Sequence, residues 1–271
     1  MTGSDLRAIP AWYVRSTPLP LPFLPLQDDP GPVDVHRLRR AYAAGRERRS
    51  LAASFVASLE RTGAVLVNPP SAHAQHFLKL EQLQRLREAG VPIPRTLATN
   101  DPVAVREFAQ SVWPMVYKPL AGGALCRRMT QEDLRDARLN RLAAAPVMFQ
   151  EEIPGCNIRV YVVGGTVVSS YEIVSGELDY RGSETSVQLV ELEGPEETAI
   201  LKAVAACGMG FTGIDIRRRP DGSFALLECN PSPMFANIER RTGGMPVTQA
   251  LADFLLGLPP AAVKSIGSRR L

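Results

Sequence analysis

The stretch DGSFALLECNPSPMF, residues 221–235, decides how the chain is read. Phe224 to Leu227 is an apolar run with the character of a buried strand, yet it goes on to deliver Glu228 and Asn230 ahead of Pro231 and Pro233. An apolar core rejects an unpaired carboxylate and amide, so the end of this strand faces something polar. Just upstream, GFTGIDIRRRP (210–220) is a second strand-like run, and Asp221-Gly222 between the two is a hairpin signal. With Asp221-Gly222 as a two-residue loop, Asp215 lies directly opposite Glu228. Side chains alternate along a strand, so both of them, and Asn230 two residues further on, project to one face. A type I turn with a glycine bulge over Pro220-Asp221-Gly222 shifts the pairing by one instead. Two carboxylates placed opposite each other repel. A divalent cation removes that repulsion, and three convergent oxygen donors suit magnesium, which keeps waters and phosphates in its other positions. The competing reading is a surface hairpin with polar ends, and short patterns of this kind do carry false positives.

Other charged residues supply what such a metal needs. Lys118 closes the strand MVYK immediately before AGGA (121–124), where backbone N–H groups suit phosphate oxygens. Arg159 opens the next hairpin, and Arg181 sits in the loop LDYRGSE (178–184). Taken singly, such residues solvate a sheet edge. Converging on a carboxylate–metal centre, they make a clamp for a triphosphate.

The remaining elements follow from periodicity and punctuation. Residues 1–34 are proline-rich, with AWYVRST as the one short strand and PLPLPFLPL extended and polyproline-like. Val35 to Glu60 is helical, with Leu38, Tyr42, Leu51, Phe55 and Leu59 as the buried positions. AVLVN is a buried strand, and a helix over Ala72 to Glu88 follows, carrying Phe77, Leu80, Leu83 and Leu86 at helical spacing. Asp101 caps a helix that opens at Pro102. IRVYVVGGTVVSSYEIV is a hairpin around Gly164-Gly165, PEETAILKAVAACGM is a helix, and MPVTQALADFLLG is the last helix. Trp113, Phe149, Leu226, Leu227, Leu251 and Phe254 are expected in the core. Helices alternate with strands and the hairpins come late, which indicates an α+β architecture.

Composition excludes several classes. A formal charge of +3 over 271 residues does not support a general nucleic-acid binder. The arginines that cluster at 37–49 and at Arg217 to Arg219 read as a solvated helix face and a charged hairpin tip. The four cysteines lack metal-binding or disulfide spacing, which suits a reducing cytoplasm. No apolar run reaches the length of a membrane span.

The order of these elements resembles a known family. KLEQLQRLREAGVPIPRTL from Lys79, VYKPLAGGA, VMFQEEIPGCNIRVYVVGGTVV, GFTGIDI and LLECNPSPMFANIERRTG resemble the ATP-grasp carboxylate–amine ligases of the RimK-like branch, over about residues 64–256. VNPPSAHAQHFLKLEQLQRLREAGVPIPRTLATNDP is similar to the graspetide (microviridin-type) ligases, which close ω-ester or ω-amide rings in ribosomal peptides.

The resemblance implies an abbreviated N-terminal region over 1–63 and an ATP-grasp domain over 64–271, with the nucleotide between two antiparallel sheets. It implies that Lys79 and Lys118 contact ATP phosphates and that Gln150, Glu151, Glu152 and Ile153 carry the adenine on their backbone. Asp215, Glu228 and Asn230 would hold magnesium, with manganese as a substitute, and Arg159 and Arg181 would steady the transferred phosphate and the acyl intermediate. The substrate would be a small-molecule, amino-acid or peptide carboxylate, with a precursor peptide as partner, and the enzyme a cytoplasmic homo-oligomer. Three departures stand out: Asn157 replaces the usual ribose-binding aspartate, Arg181-Gly182-Ser183-Glu184 replaces an Arg-Ser-Asn segment, and the glycine loop is short, with Arg127 and Arg128 beside it. The competing activities are an ATP-grasp kinase and a non-catalytic nucleotide-binding partner. His36, His73 and His76 form no catalytic constellation.

Overall fold

The structure of the protein is a computed structural model, and it describes residues 6–15, 34–121, 125–176 and 184–260. The stretch PLPLPFLPL lies outside the described residues. Two antiparallel sheets carry the architecture. The larger has five strands in the order β11-β10-β7-β8-β9, formed by β7 (Cys156–Val163), β8 (Thr166–Ser175), β9 (Glu184–Leu189), β10 (Phe211–Arg218) and β11 (Phe224–Asn230). The smaller has the order β3-β6-β4-β5, formed by β3 (Thr96–Thr99), β4 (Met115–Pro119), β5 (Arg127–Arg128) and β6 (Val147–Glu151). At the N-terminus β1 (Ala11–Tyr13) pairs in parallel with β2 (Val65–Val67), with helix α1 (Val35–Arg61) between them in the chain. The other helices are α2 (Pro70–Ala74), α3 (Lys79–Glu88), α4 (Pro102–Ser111), α5 (Asp136–Leu139), α6 (Gly194–Cys207), α7 (Ala236–Thr242) and α8 (Pro246–Leu255).

The two faces of the large sheet have different fates. Ile158, Val160, Val162, Ile214, Ile216 and Leu226 pack against the apolar stripes of α3 and α6 in one cluster. Tyr161, Val163, Phe211 and Ile173 pack against Val247, Ala250 and Leu251 of α8 in another. Strand β10 shows how that second face changes character. Phe211 belongs to the α8 cluster, Gly213 follows two residues on, and Asp215 and Arg217 continue the same face as polar residues. Its other face carries Thr212, Ile214 and Ile216 before Arg218, which bonds Glu196 of α6 through Nε at 2.7 Å.

The turn of this hairpin is not the two-residue loop expected from Asp221-Gly222. The Gly222 N–H bonds the Arg219 carbonyl at 3.0 Å, Gly222 has φ +82°, and the Arg219 N–H reaches the Ser223 carbonyl at 2.7 Å. That is the type I turn with a glycine in the left-handed region. Its pairing runs Arg218↔Phe224, Arg217↔Ala225 and Ile216↔Leu226, one residue away from the two-residue register. A bulge then inserts Leu227 and restores Asp215↔Glu228. The bulge has a clear physical consequence. Phe224 and Leu226 pack toward α6, and strict alternation would carry Glu228 into the same core. One extra residue flips the parity, so that Cys229 takes the core side and Glu228 and Asn230 face away from it.

Several other expectations are corrected. The helix expected over 72–88 is two helices, separated at 75–78 by a turn whose N–H groups bond carbonyls three residues back. Leu83 and Leu86 are buried, whereas Phe77 and Leu80 beside the break are exposed. In α1, Leu59 is buried and Phe55 packs edge-on against Trp12, but Leu38, Tyr42 and Leu51 are exposed, Leu51 at 74 %. Of the α1 residues, Gly45 and Leu59 are buried, so periodicity there predicted more burial than tertiary contact provides. Trp113 is also exposed, and Leu227, as the bulge residue, is half-buried, as is Phe254. Phe149, Leu226 and Leu251 are buried as expected. The helix at Pro102 has its cap, Asp101 Oδ1 accepting from the Val103 N–H at 2.8 Å.

One buried carboxylate fixes the C-terminal helices. Glu239 of α7 accepts from the N–H groups of Val247 and Thr248 at 2.8 and 2.9 Å and from the Thr248 hydroxyl, satisfying the first turn of α8. Glu239→Ala leaves those buried donors unmet, and urea denaturation should show a loss of about 2 kcal/mol.

Candidate active site

Strand pairing assembles the charged row. Arg159 on β7 is directly opposite Asp215 on β10, and Asp215 is opposite Glu228 on β11. The Arg159 guanidinium meets Asp215, Nε to Oδ1, at 2.8 Å. Gly213 makes room for this pair: a Cβ there would lie 2.5 Å from Pro233 Cβ and 2.9 Å from Arg159 Nη1. The other carboxylate is met from outside the sheet. Lys79, the first residue of α3, places Nζ 3.0 Å from Glu228 Oε2, with 32 % of the Glu228 side chain exposed. Lys118, from the smaller sheet, also acts on Glu228.

These charges decide the ionisation. Burial alone would raise the pKa of Glu228, but Lys79, Lys118 and Arg159 outweigh it and hold the carboxyl at about 2. Glu228 is therefore an anion at any ordinary pH. For Lys118, burial pushes the ammonium pKa down and Lys79 adds to that, against the opposing pull of Glu228 and Asp215. The set therefore consists of two facing carboxylates with cations from a strand, a helix and a second sheet.

Asn230 completes the oxygen donors. Its Oδ1 accepts from the Ser232 N–H at 2.9 Å, which orients the amide and leaves a second lone pair on the oxygen. Among the described residues no cluster of three or more His, Cys, Asp or Glu side chains forms. The donors at this row are thus two carboxylates and an amide, all oxygen, a set that fits a hard divalent cation.

Sequence reasoning missed the residue that holds α3 on the sheet. Gln82 is 3 % exposed, one turn after Lys79, and its side chain takes both backbone groups of Cys229. Oε1 accepts from the Cys229 N–H at 2.9 Å, and Nε2 donates to the Cys229 carbonyl at 2.8 Å. Since β11 is an edge strand, Gln82 stands in for a neighbouring strand at the residue next to Glu228. The signal was available only as a polar residue on the apolar stripe between Leu83 and Lys79.

The Gln150–Ile153 segment lies at the junction of the two sheets. Gln150 is buried and bonds Thr96 Oγ1 at 2.9 Å. The Glu151 and Glu152 N–H groups bond Arg95 O and Pro114 O, and their carboxylates pair with Arg219 and Arg128. The Ile153 carbonyl accepts from Arg217 Nε at 3.0 Å. Asn157 does not stand alone either, since its Oδ1 accepts from Arg217 Nη1 at 2.8 Å. The run Arg217 to Arg219 is therefore not a solvated tip: its members bond Asn157, Glu196 and Glu151 in turn. Arg181 lies outside the described residues, as do residues 122–124 of the glycine loop.

Comparison with known proteins fits this geometry. Residues 78–255 match the RimK-like ATP-grasp domain. The chain belongs to that family. It is 30% identical over 202 residues to a "Probable alpha-L-glutamate ligase" of Teredinibacter turnerae, covering 70% of this chain and 67% of the relative. Among solved structures it is similar to the ATP-grasp ligase PsnB complexed with minimal precursor, with a TM-score of 0.78 and 37% identity over 91% of this chain and 78% of that one. It is also similar to the macrocyclase MdnC bound with precursor peptide MdnA from Microcystis aeruginosa MRC, with a TM-score of 0.75 and 25% identity over 93% and 79%. The fold is ATP-grasp, and the protein is an ATP-dependent, ADP-forming carboxylate–amine ligase. ATP-grasp ligases use ATP and magnesium, and one PsnB structure carries both Mg and ADP. No helix among the described residues is long and apolar enough to cross a membrane.

The Gln82 clamp gives a direct test. Gln82→Leu keeps the side-chain volume but strips Cys229 of both partners. Thermal or urea unfolding should register a loss of about 2–3 kcal/mol, and the ATP affinity should fall because Lys79 loses its anchor.

Proposed function

We propose that this ligase acts on a peptide, activating an acidic side chain of it and joining the acyl group to a hydroxyl or amine of the same chain. The observation that supports this reading is the likeness to PsnB over 91% of the chain, in a structure that holds a precursor peptide. The chemistry runs in two displacements. A substrate carboxylate oxygen attacks the γ-phosphorus of ATP and ADP leaves, giving an acyl phosphate. The hydroxyl or amine then attacks the acyl carbon, the C–O bond to phosphate breaks, inorganic phosphate departs, and the nucleophile gives up its proton.

Each residue has an assigned part in this reading. Lys79 and Lys118 meet the ATP phosphates from opposite sides of the cleft, while Gln150, Glu151, Glu152 and Ile153 line the adenine end and Asn157 the ribose. Arg159, with Arg181, stabilises the charge that develops on the transferred phosphoryl group and shields the attacking carboxylate from repulsion. Asp215, Glu228 and Asn230 hold magnesium, and manganese can replace it at such an oxygen set. When bound, the ion neutralises the β- and γ-phosphate charge. The enzyme is proposed to work as a cytoplasmic homo-oligomer. Its four free cysteines agree with a reducing compartment.

A second reading, transfer of free glutamate, is favoured by the identity to the curated glutamate ligases. Mass spectrometry separates the two. Incubation with ATP, magnesium and an acidic precursor peptide should remove one water per bond formed, whereas addition of an amino acid raises the mass. Calorimetric titration tests the nucleotide site without a substrate. The wild type should bind ATP in a magnesium-dependent manner, and Glu228→Gln should weaken that binding by about 100-fold or more, since a ligand carboxylate is lost.

A further inference from the structure

Arg217 occupies an unusual position for a charged side chain. It is half-buried on β10, on the same face as Asp215 and one row further along the sheet, about 7 Å away at strand spacing. Its hydrogen-bond partners are both neutral: the Ile153 carbonyl at 3.0 Å from Nε and the Asn157 amide oxygen at 2.8 Å from Nη1. Neighbouring arginines are matched with carboxylates. Arg128 pairs with Glu152 at 2.8 Å, Arg218 with Glu196, and Arg219 with Glu151 at 3.1 Å. No ion pair joins Arg217 to a carboxylate among the described residues. A guanidinium carries five N–H donors, and two bonds leave others unspoken for.

Asn157 sharpens the point. With one lone pair of Oδ1 given to Arg217, Asn157 offers a ligand both N–H bonds of its NH₂ and one remaining lone pair. Arg217 and Asn157 together are therefore rich in donors, where a carboxylate at position 157 would have presented acceptors alone. A ribose hydroxyl oxygen accepts as readily as it donates, so a donor-rich pair suits ribose. The place is right as well. The row lies between the Asp215–Glu228 carboxylates and Ile153, at the junction of the two sheets.

We propose that Arg217 binds the nucleoside end of ATP, donating from its guanidinium to the ribose oxygens while it holds Asn157 in place to do the same. This makes Arg217 a nucleotide-binding residue of the ligase. It rests on the placement of the phosphates at the Asp215–Glu228 row.

The test is calorimetric, with magnesium present throughout. Arg217→Met preserves length and removes every donor. It should weaken ATP and ADP by at least about 10-fold, equivalent to about 1.4 kcal/mol, while inorganic tripolyphosphate binds as it does to the wild type. The loss should be much smaller for the dideoxyribose analogue of ATP. In steady state the KM for ATP should rise by more than kcat falls. Arg217→Lys keeps the charge but replaces the planar five-donor fork with a single compact ammonium, and it should weaken ATP to a lesser degree; it supplies the same comparison should the methionine variant not fold. Unchanged ATP affinity in a folded variant would overturn the inference and leave Arg217 as a tie between β10 and the segment before β7. So would an equal loss for ATP and tripolyphosphate, which would move Arg217 to the phosphates, or an equal loss for ATP and its dideoxyribose analogue. A folded wild type that fails to bind ATP would defeat the ligase reading itself, which is a separate result.

Discussion

Two carboxylates facing each other across adjacent antiparallel strands repel, and the structure depends on how the charge of Asp215 and Glu228 is met. Each source of compensation comes from a different element. Arg159 belongs to the same sheet and is delivered by strand pairing alone. Lys79 arrives at the start of a helix, and Lys118 comes from the second sheet. Bringing three cations to one point therefore requires both sheets and α3 in their native relation. The low pKa of Glu228 reports that convergence: attraction from the cations exceeds the penalty of burial. In the proposed function the cations that neutralise these carboxylates are also the groups that meet the triphosphate.

Backbone parity makes this possible. Strand β11 must keep Phe224, Leu226 and Cys229 in the core and still turn Glu228 and Asn230 out of it. Strict alternation cannot do both, because Leu226 and Glu228 differ by two. The inserted Leu227 resolves the conflict, and the turn at Gly222 supplies the compensating offset. Gln82 then secures the bulged edge strand from outside, at the residue adjoining Glu228. The carboxylate row is thus held by main-chain bonds on one side and by a side-chain amide imitating a strand on the other.

The arginine run on β10 shows a similar division of labour. Arg217 faces the sheet junction, Arg218 enters an ion pair with a buried glutamate of α6, and Arg219 reaches Glu151 of the smaller sheet. Three consecutive like charges on a hairpin are tolerable because each meets a different partner. Membership of the RimK-like ATP-grasp family describes the common frame.

Much of the molecule was legible in the sequence because it follows from short-range rules. Alternation and β-branched runs indicated β7, β8, β10 and β11 of the large sheet, whereas β9 (Glu184–Leu189) was not expected as a strand. Gly164-Gly165 marked a real two-residue turn, with Val163 paired to Thr166. The opposition of Asp215 and Glu228 was also legible, although for a partly wrong reason, since the turn and the bulge each displace the register and cancel. What the sequence by itself determined was which residues carry charge and apolar bulk, and on which face of which element they stand. Only the tertiary structure decided which of them meet. The exposure of Leu38, Tyr42 and Leu51, the role of Gln82, and the separate destinations of Arg217, Arg218 and Arg219 all depend on whether another element lies opposite. Periodicity is a property of one segment, while burial and ion pairing belong to two, and the second partner is often more than a hundred residues away in the chain, as Glu228 is from Lys79.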